Sequence, residues 1–183
     1  LDVDITNFDF SNVRLVKISG GEPILHKSTL EIIKKLDRSI RLMIHFNGTV
    51  LPSMEFLEVC SEFKNVDFIF SIDGIEEQFE FLRWPAKWST VNKNIQWFKD
   101  NCPGNVKFCV NTVVCVLNQS SYHQVEDWVK TYLPTNSSGF ETIFNTQESN
   151  DRLNRFTYKN HIKEEVEFLD QLETPEIKAI YAG

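Results

Sequence analysis

Long apolar runs are missing from this chain. No stretch approaches the roughly 20 consecutive apolar residues of a membrane-spanning helix, and the amino end lacks the positive-then-apolar order of a secretion signal. A cytoplasmic protein with no membrane partner is therefore expected. Basic clusters are missing too: Lys and Arg total 19 against 26 Asp and Glu, a formal net charge of -7. No basic run breaks that balance, so no nucleic-acid partner is expected. Cysteine is sparse and poorly spaced for metal, since Cys60, Cys102, Cys109 and Cys115 form no CxxC pair. Four reduced thiols are the expectation in a cytosolic setting, and no metal ligand is assigned. Internal repeats and low-complexity tracts are also lacking. Finally, the chain opens at Leu1 rather than Met, and we expect that what normally precedes it has been cut away.

What is present suits one core rather than two, because 183 residues with 42% hydrophobic content fill a single full-sized domain. Strand-like apolar runs at 13–19 (VRLVKIS), 40–46 (IRLMIHF), 66–71 (VDFIFS), 106–114 (VKFCVNTVV) and 140–144 (FETIF) alternate with helical stripes. Ser28 and Glu31 read as a capping box ahead of Leu30, Ile33 and Leu36. A second stripe of Phe56, Leu57, Cys60 and Phe63 follows Pro52-Ser53. A third, Val91, Ile95 and Phe98, stops at Asn101-Cys102-Pro103-Gly104, and a fourth, Val125, Trp128, Val129 and Tyr132, stops before Pro134. Crossovers of this length make the strands parallel, so the fold class is α/β, built of β/α repeats. From about Ser149 the texture turns charged and polar, with Ile162, Val166, Leu169 and Leu172 marking one last amphipathic helix. This divides the chain into a core over 1–148 and an extension over 149–183.

Strand alternation sorts these runs into two faces. Val16, Ile18, Leu42, Ile44, Phe46, Phe68, Phe70, Phe108 and Val110 form an apolar face that helices can cover. Lys17, Ser19, His45, Asn47, Ser71, Asp73, Lys107 and Asn111 fall on the other, most of them near strand C-terminal ends. A polar face turned from the helices should look into a hydrated cavity. His45 reads as a hydrogen-bonded interior histidine, and Trp84, Pro85 and Trp88 as helix packing rather than an aromatic lip. The turn Gly20-Gly21-Glu22-Pro23 closes the first strand at the end where parallel α/β folds bind ligands.

Four strand-end landmarks carry a resemblance. GGEP, then HFNGT, then SIDG, then NTVV with Asn118 beyond it occur in the order seen in the radical S-adenosylmethionine enzymes. The string RWPAKW resembles the twitch-type members, which have a shortened C-terminal auxiliary region. The likeness covers roughly residues 13–130. It implies a partial (β/α)6 TIM-like barrel and two cofactors, S-adenosylmethionine and a [4Fe-4S] cluster. It also implies reductive cleavage to a 5'-deoxyadenosyl radical, hydrogen abstraction from a peptide or small-metabolite substrate, and an electron donor. By the same resemblance, Gly20, Gly21, Glu22 and Pro23 would receive the cofactor's amino group, and Ser71 and Arg83 its carboxylate. An arginine fork suits a carboxylate on geometric grounds. Asn47, Asp73 and Asn111 would contact substrate or ribose, or else stabilise turns.

The departures from the family are specific. Its cluster loop, CxxxCxxC after the first strand, is not in this sequence, and GGEP belongs to the family's second strand. The expectation is a fragment that lacks the first strand and is inactive on its own, because no three thiolates are there to hold the cluster. The acidic stretch Glu148 to Glu176 contains no cysteine and so builds no auxiliary cluster. Two alternatives remain: a degenerate cofactor-binding or scaffold module without a cluster, and an unrelated β/α-barrel enzyme. The latter would want a glycine-rich phosphate loop near the last strands, which FETIFNTQ is not.

Overall fold

The computed structural model describes residues 9–133 except Val116, and the backbone of 141–145. Strand β1 (Leu15–Ile18) leads through a single 3-10 turn at Pro23–Leu25 into α1 (Lys27–Lys35). Then follow β2 (Arg41–Phe46), α2 (Met54–Ser61), β3 (Val66–Ser71), α3 (Glu76–Leu82), α4 (Trp88–Asn101), β4 (Val106–Val113), α5 (Tyr122–Tyr132) and β5 (Glu141–Asn145). All four strand pairings are parallel, and the strands lie side by side in chain order. Parallel neighbours joined by crossovers of one hand place every helix on the same face of the sheet. That is the arrangement of a partial β/α barrel, with helices outside and one sheet face turned inward. Among the described residues no helix is long and apolar enough to cross a membrane.

The alternation expected from the sequence sets the two faces. Leu42, Ile44, Phe46, Phe68, Phe70 and Val110 are essentially inaccessible and pack beneath the helices. Their rings meet edge-on: Phe46 lies 4.9 Å from Phe68, and Phe70 lies 5.0 Å from Phe98 of α4, centroid to centroid. Such pairs add to plain area burial. The opposite face is more open, with Lys17 and Lys107 exposed and His45, Ser71 and Asn111 half-buried. It is not uniformly polar, because Ile69 and Cys109 share it and are buried.

Strand positions fall within two residues of expectation, and β3 matches it end to end. Two helix readings need correction. Ser28 does not cap α1: the N-cap is His26, without a side-chain hydrogen bond, and Ser28 lies inside the first turn. Pro23 and the 3-10 turn bring the chain into helical geometry earlier than the Ser-x-x-Glu pattern suggests. The Ser53 reading is cleaner, since its hydroxyl accepts from the Phe56 amide at 3.2 Å. Helix α3 was not expected. It is short, buries Phe79 and leaves Phe81 exposed, so it carries no clear apolar stripe. The amphipathic helix at 162–172 and the 149–183 extension lie outside the described residues.

Candidate functional site

The first site element is the glycine turn after β1. Gly20 has φ +108° and Gly21 φ +45°, backbone that side-chain-bearing residues rarely adopt. The loop after β2 closes against this turn. Asn47 donates from Nδ2 to the Gly21 carbonyl at 2.6 Å, and its backbone N–H donates to Glu22 Oε2 at 3.0 Å. The Gly48 and Thr49 amides also donate to the Glu22 carboxylate. Gly48 makes this wrap possible through φ +74°, and its carbonyl is held by Asn94 Nδ2 of α4 at 2.9 Å.

Glu22 is 8% exposed, and its Oε1 is buried with no partner. Burial pushes its carboxyl up to about 7, against the opposing pull of the three amides. A buried carboxylate oxygen without a donor leaves an unmet demand for a proton or a cationic hydrogen-bond donor. Two residues called from the sequence, Glu22 and Asn47, are thus brought together with Gly21.

The second element ties the ends of β3 and β4. Asp73 accepts through Oδ2 from Arg83 Nε and Nη2, both at 2.6 Å, and through Oδ1 from the Val113 amide at 2.9 Å. Asn118, wholly buried, donates from Nδ2 to the carbonyls of Asp73 and Val113 at 2.8 and 2.9 Å, and accepts from the Cys115 amide at 2.7 Å. Thr112 Oγ1 donates to the Ile72 carbonyl at 2.7 Å. Asp73 therefore clamps Arg83 and a strand end. Ser71 and Asn111 stand in register at the C-terminal ends of β3 and β4, both half-buried.

Between these elements lies a groove of about 570 Å³, lined by Asn47, Thr49, Phe79, Arg83, Trp84 and Pro85 among others. Asn47 and Arg83 meet there, whereas Gly20, Gly21, Ser71 and Asn111 are not among its lining residues. The two tryptophans part company. Trp88 packs on Phe79 and Trp128 with centroids at 5.3 and 5.1 Å, while Trp84 is 82% exposed on the groove's rim. The packing reading holds for Trp88 and fails for Trp84, because the Trp84-Pro85 segment runs between α3 and α4 rather than within either helix.

His45 departs from expectation as well: its Nε2 is buried with no partner. Burial, and then the nearby Lys17 charge, hold its basicity below the ordinary histidine value. The imidazole is neutral at pH 7.

The cysteines do not fit an iron-sulfur cluster. All four are free, and burial pushes the Cys60 and Cys102 thiols up to about 12, away from the thiolate form a cluster needs. No group of three or more ligating side chains occurs among the described residues. Sequence reasoning found the turn residues but missed the partners that hold them: Asn94 under Gly48, Asn118 as a splice, and Glu22 as a buried acid. Nothing in the local sequence signals the last, because the loop after β2 buries Glu22.

No family model matches the chain, and no curated protein matches it in sequence. Solved structures do. Streptococcus suis SuiB bound to S-adenosylmethionine superposes with a TM-score of 0.56 at 17% identity, over 88% of this chain and 38% of SuiB. SuiB bound to its precursor peptide SuiA gives 0.54 at 17%, over 82% and 36%. The chain thus spans less than two fifths of SuiB, and the likeness is one of fold, the partial β/α barrel.

Proposed function

We propose that this chain forms the greater part of the barrel of a radical S-adenosylmethionine enzyme and binds that cofactor at the C-terminal ends of β1 to β4. One observation carries the reading: a buried carboxylate oxygen of Glu22 without a partner, set in a glycine turn at a strand end. The cofactor's amino group is a cationic donor of the kind this oxygen lacks. SuiB, a radical S-adenosylmethionine enzyme of the same fold, binds that cofactor, which supports the assignment.

In this proposal Gly20, Gly21, Glu22 and Pro23 hold the amino group, with Glu22 ionised by the pairing. Asn47 holds the turn in shape through the Gly21 carbonyl. Ser71 offers its hydroxyl at the end of β3, and Asn111 stands beside it for the ribose or the substrate. Arg83, oriented by Asp73, presents a guanidinium to the groove and to the cofactor's carboxylate. Asp73 acts by positioning Arg83. S-adenosylmethionine supplies, once reduced, the hydrogen-abstracting chemistry; the residues of this chain bind it and exclude water. The described residues do not fit a [4Fe-4S] cluster, so its ligands, and an electron donor, belong elsewhere in a longer cytoplasmic protein. We further propose that this protein is twitch-type, with residues 149–183 as its extension. A peptide is the favoured substrate, as SuiB binds the precursor peptide SuiA.

Equilibrium dialysis with radiolabelled S-adenosylmethionine tests the site. Weak saturable binding is expected, lost in Gly21→Val, whose side chain cannot follow φ +45° without strain. Equal binding by both proteins would overturn it. The coding sequence upstream of Leu1 tests the enzyme: an in-frame CxxxCxxC is expected, and a start codon with no such motif would leave a cofactor-binding relic.

A further inference from the structure

We infer that the rim around α3, beyond the C-terminal ends of β3 and β4, is the docking surface for an apolar and basic peptide. It takes large apolar side chains across the groove, Trp84 and Phe81, and a lysine or arginine against Glu77. This rests on the proposed function, which puts the cofactor at this end of the sheet and a peptide beside it, and it names that peptide's chemistry.

Exposed large apolar side chains are not scattered over this protein. Eight stand out among the described residues, and six of them, Leu25, Leu51, Met54, Phe81, Trp84 and Leu117, fall between a strand's C-terminal end and the helix that returns beside it, Met54 being the first residue of its helix. Single exposed apolar residues are ordinary, whereas a cluster at one end marks a binding surface. The two most exposed, Trp84 and Phe81, stand three residues apart at the end of α3. Leu117 joins them, because Gln78 Nε2 of α3 donates to its carbonyl at 3.3 Å. Trp84 borders the groove of about 570 Å³, whose walls are apolar at Phe79, Leu82 and Pro85 and polar at Asn47 and Thr49. That volume and mixed lining suit a small organic group. Because Asn47 and Arg83 also line it, a side chain seated there lies beside the proposed cofactor site.

The charges select the occupant. Arg83 is neutralised by Asp73, and Lys87 by Glu80. Glu76 and Glu77 are left, both exposed and in no ion pair with a described residue. The neighbouring loops 47–54 and 115–121 contain no Lys or Arg to balance them. Acids in a first turn suit a helix N-terminus, and here they also leave negative charge beside the apolar patch. On a chain of net charge -7 that favours a cationic peptide over nucleic acid or an anionic lipid surface. Glu77 and Phe81 are four residues apart and share a helix face, about 6 Å along the axis. Side chains on one side of an extended peptide recur at about 7 Å. The matching pattern is therefore a large apolar residue with a basic residue two positions away.

The experiment exposes the 183-residue chain to an arrayed library of random peptides of about ten residues, long enough to cross the rim. Bound peptides should be enriched about fivefold or more in Leu, Ile, Phe and Trp. Lys or Arg two positions away should be enriched about twofold, and raised salt should reduce that basic part alone. The double variant Phe81→Ser, Trp84→Ser should lose the apolar enrichment, and Glu76→Gln, Glu77→Gln the basic one. Circular dichroism should be unchanged in both, since all four side chains are exposed. Tyr132→Ser at the end of α5 and Glu58→Gln on α2, the same kinds of change at exposed positions away from the rim, should keep both enrichments. No enrichment, or equal loss in the Tyr132 and Glu58 variants, would overturn the inference. So would a native dimer in sedimentation that the Phe81, Trp84 variant dissolves, which would give the face to a second copy of the chain. S-adenosylmethionine dialysis on the same proteins separates the two readings: cofactor binding without peptide enrichment removes the docking surface alone, and peptide enrichment without cofactor binding removes the proposed function.

Discussion

Replacing Glu22 by Gln should favour the variant's stability over the native protein's as pH rises and, at the proposed site, weaken S-adenosylmethionine binding. Burial raises the Glu22 carboxyl from 4.5 to about 7, so the folded protein holds a proton that the unfolded chain releases. The favourable contribution of the neutral acid is complete below about pH 4.5 and is lost as pH rises through 7. A displacement of about 2.5 pH units corresponds to about 3 kcal/mol across that window. Glutamine cannot ionise, so it removes this dependence. Its new amide N–H, placed where Oε1 has no partner, adds a cost of about 1–3 kcal/mol that is the same at every pH. The stability difference between variant and native protein should therefore move by about 3 kcal/mol in the variant's favour from pH 4.5 to pH 8.5. For a chain of this size that is a relative gain of about 6–12 °C in Tm. Thermal unfolding followed by circular dichroism at both pH values reads the difference directly. Parallel pH profiles for the two proteins would mean that Glu22 titrates normally and is not a buried acid.

Other consequences follow from the packing and the clamps. Asp73→Ala removes the acceptor of both Arg83 nitrogens and of the Val113 amide and should cost about 2–4 kcal/mol in urea unfolding, discounted for the part-exposed pair. Asp73→Asn, which can still accept from Val113, should cost less. Phe70→Ala opens a hole among Phe46, Phe98 and Phe108 and should cost about 3–5 kcal/mol. Gly48→Ala forces a side chain to φ +74° with its Cβ 3.1 Å from Val91 Cγ1 and should cost about 1–2 kcal/mol by the same assay. It should also weaken cofactor binding by disturbing the amides around Glu22.

Much of the fold was legible because a parallel sheet covered on one face writes a period of two. Leu42, Ile44 and Phe46 alternate with Arg41, Met43 and His45, and the burial follows that order. In β3 the pattern blurs, since Asp67 and Ile69 are buried along with Val66, Phe68 and Phe70, and only the neighbouring strands settle which face is which. Helix α3 was invisible because seven residues give too few turns for a stripe. The false cap at Ser28 shows that a local motif yields to chain direction, here fixed by Pro23. At the site, the glycine turn and Asn47 were readable as types at strand ends. That Asn47 would grip the Gly21 carbonyl, and that Arg83 would be held by Asp73, depends on how loops from different strands meet. No single segment encodes that meeting.

In the proposed function the strand-end turn and its neighbours bind S-adenosylmethionine. Titrating the nitrogen-15-labelled chain with the cofactor and following its amide NMR signals tests this most directly, and detects weak binding. Saturable shifts are expected at Gly20, Gly21, Glu22, Asn47, Ser71 and Asn111, with little change along the outer helices. No saturable shifts, or shifts confined to residues away from the C-terminal ends of β1 to β4, would contradict it.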